Sequence, residues 1–244
     1  MKKLVFILVM CFHPFGFSAT GEYGLDHAEI DLKDKASLQR GAKVFMNYCL
    51  GCHSMQYQRY QRTFDDIGID EELAQEYLQY SGAKASDYVV RAMDAKDAEA
   101  WFGVEPPDLT LVARVRGTDW IYTYLRTFYK DDSRPFGVNN LVFPDVAMPH
   151  VLEPLQGTPI VTYNEEFKGS DTEKQVKGVI TDGSGSLSSE EYDQVVLDLV
   201  NFLEYTGEPT RLVSERIGRW VLAFISVFGV LVYLLKKDYW REVH

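Results

Sequence analysis

The chain has 244 residues, 46% hydrophobic and 14% aromatic, enough to bury one sizeable core with appendages. Its formal net charge of -11 lacks the clustered Lys and Arg that phosphate binding requires. That balance excludes nucleic acid as a natural partner and favours a cationic protein instead.

In chain order, Lys2-Lys3, the apolar run Leu4 to Cys11 and the turn formers Pro14 and Gly16 form the three zones of a secretory signal peptide. Cleavage is expected after Ser18 or Ala19, so residues 1–19 are read as a leader. A lipoprotein cut before Cys11 fits less well, because Met10 stands where a small residue is expected. Residues 20–35 read as an arm without regular structure. From Ser37, the residues Leu38, Gly41, Ala42, Phe45, Tyr48 and Cys52 recur at helical steps, and Gly41 with Phe45 marks a close approach to a second helix.

That helix delivers Cys49-Leu50-Gly51-Cys52-His53. One helical turn puts both thiols on one side of a macrocycle and brings the imidazole under its metal, the attachment signature of a c-type haem. A zinc site would need more ligands, since Cys11 falls in the leader and His27, His150 and His244 are scattered. A redox dithiol is the rival reading. If both cysteines hold haem, the mature chain keeps no structural disulfide.

Residues 56–104 alternate helical pieces with the acidic groups Asp65-Asp66, Asp70-Glu71-Glu72, Asp94, Asp97 and Glu99, read as a solvated face rather than a docking site. Pro106-Pro107-Asp108-Leu109 is expected to open a helix, with Pro107 in its first turn and Asp108 at its positive end. The stretch to Tyr129 carries Arg114, Arg116, Trp120, Tyr122, Tyr124 and Phe128, suited to a haem wall and equally to an ordinary core. Residues 131–157 read as a proline-stiffened loop holding Met148-Pro149-His150, and residues 158–186 as a surface excursion with strands at 159–163 and 175–180. Ser188 and Glu191 form a capping box, followed by the stripe Tyr192, Val195, Val196, Leu199 and Leu203, the expected partner of Gly41 and Phe45. Gly207-Glu208-Pro209 ends that helix.

Trp220 to Leu235 is uncharged and spans roughly 24 Å as a helix, extended by Ile217, Gly218 and a snorkelling Arg219 toward the ~30 Å of a hydrocarbon core. Trp220, Tyr233, Tyr239 and Trp240 suit the interfaces. Basic residues flank both ends, so orientation is set by the leader: the body exported, the last residues cytoplasmic. The expected division is therefore 1–19 leader, 20–210 exported domain, 211–237 anchor and 238–244 tail.

Of the candidates for a second axial ligand, Met46 and Met55 lie beside His53 on its own side, Met93 sits in an acidic helical piece, and His27 lies in the N-terminal arm. Met148 is favoured on its stiff loop, with His150 the rival and Pro149 keeping the backbone from presenting both. A thioether opposite an imidazole favours ferrous iron and leaves no vacancy for oxygen or peroxide. Arg114 is the candidate partner for a propionate.

Cys49-Leu-Gly-Cys-His53, Pro106-Pro-Asp-Leu109, Ala113-Arg114 leading into Asp119-Trp120, Phe143-Pro-Asp-Val-Ala-Met148-Pro-His-Val151 and one C-terminal span resemble the cytochrome c1 family, the haem subunit of the cytochrome bc1 complex, over nearly the whole chain. The resemblance implies a mainly α, cytochrome c-like haem domain with loop and β-hairpin insertions and one transmembrane helix. It implies one covalent haem c on Cys49 and Cys52, iron ligation by His53 and Met148, Arg114 at a propionate, and Pro107 and Trp120 against the haem. It further implies a bacterial inner-membrane complex with cytochrome b and the Rieske iron–sulfur protein, and a periplasmic haem domain. Electrons then run from the Rieske protein to a soluble, basic c-type cytochrome, with no substrate chemistry on this chain. Two departures stand out: Trp120, where many relatives carry tyrosine, and Val115-Arg116-Gly117, which lacks paired glycines.

Overall fold

A computed structural model of the chain describes residues 23–80, 82–168 and 171–241, so the expected leader and the final three residues lie outside the described part. Asp34 opens α1 (Lys35–Val44) by accepting a hydrogen bond from the Ser37 amide at 3.0 Å. The helix then widens into a π-helical segment, Phe45–Cys49, in which the Leu50 amide reaches back to the Phe45 carbonyl at 3.0 Å. The chain continues into a tight turn.

β1 (Met55–Arg59) pairs antiparallel with β2 (Tyr88–Val89), and between them lie α2 (Tyr60–Ile67) and α3 (Glu71–Tyr77). After α4 (Ala95–Phe102) come α5 (Val112–Arg116) and α6 (Thr118–Arg126). β3 (Phe128–Lys130) and β4 (Val138–Asn140) form a second antiparallel pair, with Phe128 opposite Asn140. A short α7 (Glu153–Gln156) precedes the hairpin of β5 (Pro159–Lys168) and β6 (Asp171–Thr181), whose register shifts after Thr162. The domain closes with α8 (Ser189–Gly207), and α9 (Arg211–Tyr239) leaves it.

The core is built where α1 meets α8. A Cβ on Gly41 would stand 2.0 Å from the Asp198 carbonyl oxygen and 2.8 Å from Phe202 Cβ, so only glycine lets the two helices approach this closely. One turn on, the fully buried Phe45 and Phe202 rings lie 6.0 Å apart. Tyr192, Val196, Leu199 and Leu203 are buried on the same helix, and the Ser188/Glu191 capping box forms as expected. A polar clamp locks the register: the Asp198 carboxylate, 2% exposed, accepts from Arg40 at 2.6 and 2.8 Å and from the Ser37 hydroxyl at 2.7 Å.

No residue of α9 is buried, and its best 18-residue stretch has a mean hydropathy of 2.0. With 29 residues it is about 44 Å long, enough to cross a bilayer.

Three expectations are corrected. Pro107 and Asp108 do not open a helix; α5 starts at Val112, and Gly117, at φ +87°, splits the predicted segment into α5 and α6. The stretch 131–157 is more than a loop, since β4 pairs with β3 and α7 forms near its end. The excursion's strands extend to Lys168 and back from Asp171, well beyond 159–163 and 175–180.

Candidate haem site

The residues singled out by sequence fall into two sets. In the first, the Cys49 carbonyl accepts from both the Cys52 amide (3.0 Å) and the His53 amide (2.8 Å), which closes the helical turn the motif requires. Neither thiol is in a disulfide; Cys49 is buried and Cys52 half-buried. Burial pushes the Cys49 thiol up to about 12 and also raises Cys52, against the opposing charge of Arg91.

His53 is 9% exposed, and its Nδ1 lies 2.7 Å from the Pro107 carbonyl oxygen. A carbonyl only accepts, so Nδ1 carries the proton and Nε2 is left as a free donor atom. Burial is the main cause that lowers the His53 pKa from its ordinary value, and the Arg91 charge acts in the same direction. Pro107 thus belongs to the site through its backbone. Asp108 ties the same segment down, its carboxylate accepting from the Gln56 amide at 2.7 Å and the Thr110 amide at 2.9 Å.

Sequence reading overlooked Arg91. Its side chain is 9% exposed and its guanidinium donates to the carbonyls of Pro106 (2.7 Å), Met93 (3.2 Å) and Cys52 (3.3 Å), while pairing with Glu105. Its own amide donates to the Ser54 hydroxyl at 3.0 Å. One cation therefore pins the Cys-x-x-Cys-His turn to the Pro106-Pro107 segment that orients the histidine. Little local marks it, because apart from Glu105 its partners are backbone carbonyls, and those of Cys52 and Pro106 come from other stretches of chain.

The second set centres on Met148, half-buried beside Phe128, Val138 and Val146. Its Sδ accepts from the Tyr124 hydroxyl at 3.4 Å. The Tyr124 ring stacks on Trp120 at 4.9 Å with planes 10° apart, and meets Phe128 edge-on at 5.1 Å. Burial raises the Tyr124 pKa well above the usual phenol value, so it remains a proton donor. Trp120 is also covered by the Arg116 guanidinium, 4.9 Å from its ring centre. Asn140, 1% exposed, holds the frame by donating to the Tyr124 carbonyl at 2.7 Å and accepting from the amides of Val142 and Phe143 at 3.0 and 3.2 Å.

The rival His150 is committed elsewhere: its Nε2 donates to Gln156 Oε1 at 2.7 Å, and its ring stacks on Phe128 at 4.7 Å. Met46 and Met55 are buried, and Met93 half-buried. Arg114 packs its stem on α8, with Cγ 3.1 Å from where a Gly207 Cβ would stand, and its exposed guanidinium takes no hydrogen bond or ion pair among the described residues. The acidic stretches also acquire a specific use, since Asp70 caps α3 and Asp94 caps α4.

Two unpaired thiols, an imidazole with one nitrogen spent and one free, a hydrogen-bonded thioether and an unpaired guanidinium fit a covalent haem, and with the helical core around them they define a c-type cytochrome domain followed by a helix long and apolar enough to cross a membrane. The family described as the Cytochrome C1 family matches residues 27–243. The chain belongs to that family, whose members are membrane-anchored haem subunits of the cytochrome bc1 complex and carry a covalently bound haem c. It is 52% identical to cytochrome c1 of Allochromatium vinosum, over 100% of both chains. It is 45% identical, again over 100% of both, to a Nitrosomonas europaea protein named ammonia monooxygenase gamma subunit. Cytochrome c1 of Blastochloris viridis is 30% identical over 86% of this chain and 82% of its own.

Proposed function

We propose that this chain takes electrons one at a time from the Rieske iron–sulfur protein and passes them to a soluble, basic c-type cytochrome on the exported side of a bacterial inner membrane. Cys49 and Cys52 hold the haem by thioether bonds, His53 and Met148 occupy the two axial positions, Arg114 meets a propionate, and Pro107 and Trp120 contact the group. The bound haem supplies a reversible Fe(III)/Fe(II) couple; the protein's residues fix its ligands, exclude small molecules and set its potential. The observation that carries the proposal is the bond from His53 Nδ1 to the Pro107 carbonyl at 2.7 Å, which leaves Nε2 as the donor within an attachment turn already formed.

The leader over 1–19 directs the domain of 20–210 outward, with 211–237 as anchor and 238–244 as a cytoplasmic tail. The net charge of -11 supports a basic acceptor. Electron transfer to a basic cytochrome is expected to slow as ionic strength rises; salt-independent rates would remove electrostatic docking. Extraction in mild detergent tests the assembly: cytochrome b and the Rieske protein should co-purify with this chain, and recovery of the chain as a lone species would contradict it. The full-length likeness to a chain named for ammonia monooxygenase supports a second reading, in which the same domain serves an oxygenase complex. Co-purification with oxygenase subunits in place of cytochrome b would favour it.

A further inference from the structure

We infer that Tyr124 is a positioning residue for the axial thioether, and that its phenol raises the reduction potential by donating a hydrogen bond to Met148 Sδ. The contact is 3.4 Å, within reach for a sulfur acceptor, and the donor's ring and backbone are both packed in place. Its ring is held between the Trp120 face at 4.9 Å and the Phe128 edge at 5.1 Å. Its backbone is held too, by the Asn140 amide at 2.7 Å. Phe143 closes a third side, 6.4 Å from the Tyr124 ring centre.

A thioether sulfur has two lone pairs. One that accepts from a phenol is withdrawn from metal bonding and fixes the orientation of the other. The same bond draws electron density from sulfur and weakens it as a donor. Ferric iron depends on that donation more than ferrous iron does, so the bond favours the reduced state. A methionine on a loop otherwise keeps three rotatable bonds, and the phenol restricts them. Trp120 acquires a purpose in this arrangement, as the shelf that holds Tyr124 flat.

The inference depends on Met148 ligating the iron, and the test separates the two. Redox titration of the haem is performed on the full-length protein in its membrane, with spectra of the oxidised form. Tyr124→Phe removes one oxygen and keeps both ring contacts. At the potential where the wild type is half reduced, its reduced-to-oxidised ratio is expected to fall about threefold, the worth of one modest hydrogen bond. The weak long-wavelength band of sulfur-ligated ferric haem is expected to shift or broaden. Tyr122→Phe, on the same helix with its ring under Arg126 at 4.5 Å, is expected to change neither. If Tyr124→Phe gives too little haem protein, Tyr124→Leu likewise lacks a donor and should show the same fall. An unchanged or raised potential in both Tyr124 variants, beside a large fall in Met148→Leu, would overturn the tyrosine's role alone. An unchanged Met148→Leu would overturn the ligand assignment as well.

Discussion

The His53 side of the site is assembled within one turn of chain, Cys49 to His53, and is braced from elsewhere by Pro107 and Arg91. The Met148 side is assembled from α6, β4 and the loop after it, through bonds running from Asn140 to Tyr124 and from Tyr124 to Met148. A ligand fixed by neighbouring residues survives small shifts of the domain. One presented by a loop across a long separation depends on every frame bond between, so the two halves should fail differently when disturbed.

The largest effect is expected where the His53 side meets the core. Gly41→Val places carbon atoms inside the Asp198 backbone, and unless α1 and α8 separate the clash cannot be relieved. A loss of about 3 kcal/mol or more is expected in denaturant unfolding, with a matching fall in haem-containing protein. Arg91→Met comes next. Removing one guanidinium leaves the carbonyls of Cys52, Met93 and Pro106 without their donor, at about 2 kcal/mol. Less haem should be covalently attached, measured by haem stain under denaturing conditions, and Arg91→Lys should restore only part.

Asn140→Ala should sharpen the contrast from the other side. It removes a buried amide that holds Tyr124 and the chain before Met148, at about 1–2 kcal/mol. Attachment should stay complete while part of the haem turns high-spin in paramagnetic resonance. The reverse pattern, with attachment lost and spin state kept, would show that the halves are not separable.

The smallest effect is expected at the start of α8. The bond from the Ser188 amide, helped by the Ser188 side chain, holds the Glu191 carboxyl below the usual glutamate range. Its folded value lies below its unfolded one, so its contribution is complete above about pH 4.3 and fades as pH falls through the lower folded value. Glu191→Gln should flatten this part of the melting temperature against pH; the group is exposed, so the change is slight.

The same local-versus-distant division decided how much was legible in the residues alone. The attachment turn, the α8 stripe, the capping box and the membrane-length helix announce themselves by spacing, and Gly41 with Phe45 pointed correctly to the helix that covers them. The segment after Pro106 did not. Pro107 and Asp108 look like a helix start, but the carbonyl of one is spent on His53 and the carboxylate of the other on Gln56, and Gly117 divides the stretch beyond them into two short helices. Arg91 sat unnoticed in an acidic stretch because most of its partners are backbone carbonyls. Tyr124 was visible as one aromatic among several, but its bond to Met148 exists only once β4 and the loop are in place.

The most direct test of an iron held on both sides by this chain is exposure of the reduced, intact, membrane-bound protein to carbon monoxide. With His53 and Met148 both in place, the spectrum should stay low-spin and unchanged. Ready formation of a carbon monoxide adduct in undamaged protein would mean that the Met148 side does not close, and would contradict the account.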